Sequence, residues 1–204
     1  MAYTTINKST DYFNTKLYTG NGGTNAQTGV GFQPDWVWIK RRNSAGGNML
    51  TDAVRGVTKT IITNENSAEQ TFANGLTAFG SDGFTLGSEG GFNNSSDTFV
   101  AWNWKANGQG SSNTDGSINT TYTSVNTTAG FSISKYTGNG TTGATIGHGL
   151  GAIPKWIIVK RLDSTTNWQV YHSSMGAEKF IELNNTGGQS DSDVLWNDTA
   201  PTNH

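Results

Sequence analysis

The chain has 204 residues, a formal net charge of −2, 33% hydrophobic residues and only 14% charged ones, a balance that excludes a broad basic nucleic-acid surface. Its 7 Trp, 6 Tyr and 9 Phe are too many aromatics for a disordered chain, and 0 Cys excludes disulfide scaffolds, Cys-ligated zinc and thiol catalysis. No apolar run approaches the roughly 18 residues of a membrane span, and 27 Gly without a three-residue period, amid abundant Asn, Thr and Ser, point to short strands and turns rather than helix or collagen.

In chain order, Met1-Ala2-Tyr3-Thr4-Thr5 has neither a basic stretch nor an apolar run, so no signal peptide is expected. Tyr18 closes a strand and enters the turn Gly20-Asn21-Gly22. Pro34 precedes Trp36-Val37-Trp38-Ile39, an unbroken apolar run too short for a helix, which predicts a central strand buried on both faces. Ser67-Ala68-Glu69-Gln70 has the form of a helix-capping box followed by the stripe Phe72, Leu76 and Phe79, yet Gly75 weakens a helix and a loop fits equally well. Ser81-Asp82-Gly83 predicts a turn before an alternating strand over 84–86. Residues 97–104 predict a closing strand with Val100, Trp102 and Trp104 on one face, expected to point inward. Residues 106–117 lack any large apolar side chain and read as a linker.

Beyond the linker the chain repeats itself. Phe131-Ser132-Ile133-Ser134-Lys135-Tyr136-Thr137-Gly138-Asn139-Gly140 matches residues 13–22, so Tyr18 aligns with Tyr136, Gly20 with Gly138 and Gly22 with Gly140 at an offset of 118. Gly147-His148-Gly149-Leu150 keeps that offset against Gly29-Val30-Gly31-Phe32. Pro154-Lys155-Trp156-Ile157-Ile158-Val159-Lys160-Arg161 then matches residues 34–41 at an offset of 120, a two-residue loop insertion near Gly151-Ala152. The expected fold is all-β: two tandem β-sandwich or jelly-roll-like units, over 1–105 and 118–204. The strand over 97–104 has no partner in the second copy, which is expected to be incomplete at its C-terminal side.

Candidate chemistry is sparse. The glycine-rich turns lead towards strands and carry no Gly-Lys-Ser/Thr, so they are turns rather than phosphate loops. His148, His172 and His204 lack metal-ligand spacing, and no Gly-x-Ser-x-Gly elbow occurs. Asp191-Ser192-Asp193 and Asn113-Thr114-Asp115-Gly116 offer oxygens to a structural calcium, although turn chemistry explains both without one; no other cofactor is expected. Trp36 and Trp156 are assigned to the core. Trp168 and Tyr171, beside His172, are the expected surface aromatics for a sugar ligand, packing or subunit contact being the alternative use.

Tyr18-Thr19-Gly20-Asn21-Gly22 followed by Gly31-Phe32-Gln33-Pro34-Asp35-Trp36-Val37-Trp38-Ile39-Lys40 resembles a family of marine bacteriophage proteins, found in phages of cyanobacteria and of abundant ocean bacteria. Leu50-Thr51-Asp52-Ala53-Val54-Arg55-Gly56, Ser81-Asp82-Gly83-Phe84-Thr85-Leu86-Gly87 and Val100-Ala101-Trp102-Asn103-Trp104-Lys105 extend the likeness over almost the whole chain. The resemblance implies a virion structural or tail-associated protein and supplies no catalytic residues. Members of that family commonly complete the second unit with an Ala-Tyr strand. The expected role is therefore a non-enzymatic tail, fibre or other surface appendage of the phage particle, adhesive in function. A capsid decoration protein and a carbohydrate-binding host-recognition module are the alternatives. Expected partners are other virion proteins, further copies of the chain and a host surface glycan, with neither nucleic acid nor membrane insertion.

Overall fold

A computed structural model of the chain describes residues 6–203; the start Met1–Thr5, read above as carrying no signal peptide, and His204 lie outside the described residues. After a single 3-10 turn at Ser9–Asp11, the first unit contains β1 (Phe13–Thr19), β2 (Asn25–Gln27), β3 (Trp36–Arg41), β4 (Met49–Asp52), β5 (Lys59–Ile62), β6 (Gln70–Thr71), β7 (Leu76–Gly80), β8 (Gly83–Leu86), the one-turn helix α1 (Gly90–Asn93) and β9 (Thr98–Trp104). The second contains β10 (Tyr122–Asn126), β11 (Phe131–Lys135), β12 (Trp156–Val159), β13 (Gln169–His172), β14 (Lys179–Glu182) and β15 (Ser190–Asp191). The fold is all-β, a sandwich of antiparallel sheets, as the composition requires.

A six-stranded sheet ordered β1-β9-β3-β4-β5-β6 faces a three-stranded sheet ordered β2-β8-β7. Alternation along the strands divides their side chains between two faces. Val37, Ile39, Phe99 and Ala101 meet Leu76, Phe84, Leu86 and Phe92 in the core, while Trp36, Trp38, Trp102 and Trp104 lie on the opposite, outer face. The inward orientation expected for Trp102 and Trp104 is thus reversed. Phe99 and Ala101 occupy the inner positions, and small Ala101 sits beside Ile39 where a second tryptophan layer would overfill the core. Tyr18 joins the core, its ring stacked 5.1 Å from Phe99 and its hydroxyl donating to the Phe92 carbonyl at 2.7 Å; burial pushes its phenol pKa up. The Gly-Asn-Gly turn after it is demanding: a Cβ on Gly20 would lie 2.1 Å from the Asn94 carbonyl oxygen. The segment 67–80 is strand, turn and strand rather than helix, because Phe72 packs on the core and a tight turn from Phe72 to Gly75 sets up β7.

Strands β12 to β15 repeat β3 to β6 at the 120-residue offset, and β11 repeats β1 at 118. In the first unit β9 pairs on one side with β1 and on the other with β3. Among the described residues no strand does this for the second unit, so β10-β11 and β12-β13-β14-β15 form separate sheets. Consequently β12 is an edge strand rather than a central one, and Trp156, expected in the core, is 56% exposed. Trp36, assigned to the core as well, is half-buried on the outer face, in contact with the second unit.

Both sheets of the second unit pack on the outer face of the six-stranded sheet. Phe131 lies 6.0 Å from Trp36 and 6.2 Å from Trp104, with Ile133 beside Val54 and Ala106. Trp168, Ile158 and Leu162 cover Leu50 and Ile61. The segment 106–117 joins the units without being a loose tether. The Ala106 N–H donates to Asp35 Oδ2 at 2.7 Å, that of Asn107 to Ser124 Oγ at 2.8 Å, and that of Asn113 to Thr120 Oγ1 at 2.8 Å. Here hydroxyl, amide and carboxylate groups fix the backbone that lacks apolar side chains to bury.

Candidate ligand-binding cleft

Three neighbouring strands set aromatic side chains in rows across the outer face. Phe13 of β1 is paired with Trp104 of β9, which is paired with Trp36 of β3. One step along, Trp102 is paired with Trp38. The second unit covers the Trp36 end with Phe131 and the β4-β5 end with Trp168. Between them stays an open cleft of about 520 Å³, lined by Phe13, Trp38, Lys40, Asn48, Trp102 and Trp104. That volume falls in the range of roughly 300–1,000 Å³ typical of small-molecule sites.

The ring geometry gives the cleft angled walls. Trp38 and Trp102 have centroids 5.8 Å apart at 61°, and Phe13 and Trp104 4.7 Å apart at 55°. The Trp38 indole N–H donates to Thr63 Oγ1 at 3.0 Å, which fixes that ring. Four polar groups lack a hydrogen-bond partner among the described residues: the Lys40 ammonium, the indole N–H groups of Trp102 and Trp104, and the buried Oδ1 of Asn48. A buried acceptor left unmet is rare and costly. The Asn48 backbone is nonetheless held firmly, its N–H donating to Asn64 Oδ1 at 2.7 Å and its carbonyl accepting from Thr63. No carboxylate lines the cleft. The arrangement can bind a flat, acceptor-rich ligand.

The residues expected to hold a sugar lie elsewhere. Trp168 is only 2% exposed and Tyr171 4%, so the surface position expected for both is corrected. Trp168 is wedged between the units, its indole N–H donating to the Glu65 carbonyl at 3.0 Å. Tyr171 packs on the Trp196 ring at 5.9 Å. Three residues apart on extended backbone, the two face opposite ways and share no surface. His172 is exposed, and its Nδ1 lies 2.6 Å from Ser174 Oγ. His148 is tied down, with Nδ1 accepting from the Leu150 N–H at 3.0 Å.

Several of the oxygens offered to calcium are engaged. Asp191 pairs with Lys179, and Asn113 Oδ1 accepts from the Asp115 N–H at 2.8 Å in a local turn. Among the described residues no group of three or more His, Cys, Asp or Glu is placed to hold a metal. Asp82 sits in a smaller depression, but its carboxylate accepts from the Gly29 and Gly31 N–H groups at 2.9 and 2.6 Å. These bonds hold its pKa below the usual carboxylate range, and they anchor a loop rather than opening a site.

Sequence reading missed Phe13, Trp38, Lys40, Asn48, Trp102 and Trp104 as a group. The available signal was the doubled Trp-x-Trp, at Trp36/Trp38 and Trp102/Trp104. Two strands that each put two tryptophans on one face make a platform once they are neighbours, and the repeat alone did not reveal that β9 inserts between β1 and β3.

Neither the curated proteins nor the solved structures contain a match to this chain. Residues 8–204, spanning both units and the cleft, match one protein family, and the chain belongs to it: Domain of unknown function (DUF7483).

Proposed function

We propose that this protein is a structural component of a bacteriophage particle, placed at the particle surface in a tail, fibre or similar appendage, and that its role is adhesive and non-enzymatic. The observation that carries the adhesive part is the open aromatic cleft, a contact surface of indole and phenyl rings with unpartnered donors among them. The phage setting draws support from the resemblance of the Tyr-Thr-Gly-Asn-Gly and Pro-Asp-Trp-Val-Trp-Ile-Lys segments to marine phage proteins. A chain with only 14% charged residues also suits contact in salt water, where exposed ion pairs are screened and contribute little. Its partners on this reading are other virion proteins, further copies of itself and a glycan of the host envelope.

Immunogold labelling of intact particles with antibody raised to this chain tests the proposal. Regular labelling of a surface structure is the expected result, and purified particles that lack the chain would overturn it. Incubating the purified chain with host polysaccharide should leave the polymer length unchanged; shortening of the polymer would overturn the non-enzymatic part.

A further inference from the structure

We infer that the cleft takes an acidic saccharide, a sugar chain carrying carboxylate or sulfate groups; this rests on the adhesive reading above and names its ligand. A pyranose ring has flat faces of C–H groups and a rim of hydroxyls. Trp38 and Trp102, packed edge to face, present indole surface to the cleft against which such a ring can lie, closing water away from it. Around those faces stand three unpartnered donors, the Lys40 ammonium and the Trp102 and Trp104 N–H groups. The donor excess, including a full positive charge with no carboxylate in the cleft, calls for an anionic group on the same ligand.

A second copy of the chain fits less well. An apolar protein surface would cover the rings but strip water from the Lys40 ammonium, which carries a penalty. A saccharide satisfies the rings and the polar groups together.

The test is titration of the intact chain with a short oligogalacturonate, with its methyl-esterified neutral form and with a short sulfated oligogalactan, read by tryptophan fluorescence and calorimetry. One of the two anionic ligands should bind about tenfold more tightly than the neutral one, the scale of a charge-assisted hydrogen bond. Which anion binds distinguishes a carboxylate from a sulfate ligand. Lys40→Gln should erase that preference; Trp102→Ala should abolish binding of all three. Should Trp102→Ala fail to fold, Lys40→Gln, at a partly exposed side chain, still decides the point. Equal binding of charged and neutral forms, or no binding of any, overturns the inference. So does sedimentation showing self-association of the wild type that saccharide leaves untouched and Lys40→Gln abolishes. A chain found in particles that binds no saccharide overturns this ligand and leaves the particle reading standing; saccharide binding by a chain absent from particles does the reverse.

Discussion

Phe13, Trp38, Lys40 and Asn48 of the first unit line an open cleft, whereas their counterparts in the second, Phe131, Ile158, Lys160 and Trp168, are turned against the first unit. Lys40 is unpartnered among the described residues. Lys160 instead donates to the carbonyls of Arg161 at 2.7 Å and, across the contact, of Asn66 at 3.4 Å, and its burial holds its pKa below the usual lysine value. One face of the repeat is thus an open aromatic cleft in one copy and an internal interface in the other. The change needs few substitutions: Asn48 becomes Trp168, which fills the space between the units, and Trp38 becomes Ile158, which packs under it. A second contrast lies at the end of the following strand. Arg55, almost fully buried, bonds Asp52 Oδ2 at 2.6 Å and Glu69 Oε2 at 3.2 Å and caps the carbonyls of Leu50 and Lys59. The corresponding residues of the second unit are Met175, His172 and Gln189, and no such network forms.

The largest expected effect tests that second contrast. Arg55→Ala leaves Asp52 buried without its partner and should cost about 3–5 kcal/mol, read as a fall in the urea midpoint. Met175→Ala, at the matching position, should cost about 1 kcal/mol or less. Equal losses would show that the two units do not differ here. The interface contrast comes next. Trp168→Ala should cost about 3–4 kcal/mol and loosen the contact between the units, visible as a larger radius in small-angle scattering. Asn48→Ala, its counterpart, removes an unmet acceptor and should leave stability unchanged or slightly raised. A smaller effect separates the two Gly-Asn-Gly turns. Gly20→Ala drives a Cβ into the Asn94 carbonyl and should cost about 1–3 kcal/mol, while Gly138, with nothing within 4 Å of its added Cβ, should accept Ala within about 0.5 kcal/mol.

The smallest expected effect depends on pH. Asp82, through the Gly29 and Gly31 N–H groups, and Asp97, through the side-chain amides of Asn94 and Asn43, are both held below the ordinary carboxylate range. A depressed folded pKa means that the stabilisation is present above the unfolded value near about 4 and is lost as pH falls through the folded one. Amide protection at Gly29 and Gly31 should therefore drop in acid below about pH 4, before the core amides respond. In Asp82→Ala that acid step should vanish. A loop whose protection ignores pH in the wild type would remove Asp82 as its anchor.

Much of the fold could be read from the residues. The paired Tyr-Thr-Gly-Asn-Gly and Pro-x-Trp segments locate β1, β3, β11 and β12, and the segment 97–104 locates β9. The site could not be read in the same way. Trp102-Asn103-Trp104 alternates, so one face must carry both tryptophans, but alternation does not say which face is the core when both are covered. Trp168 and Tyr171 stood out as aromatics near polar neighbours, yet their neighbours in sequence are not their neighbours in space: Trp168 meets Leu50 and Ile61, more than a hundred residues earlier.

By its own periodicity and composition the sequence determines an all-β chain of two related units, because strand alternation, turn residues and internal likeness are local properties carried by short segments. Tertiary structure alone decides that the outer face of one unit is half covered by the other and half open. That outcome depends on which large side chain wins burial between two sheets, a competition among residues distant in the chain that no local pattern records.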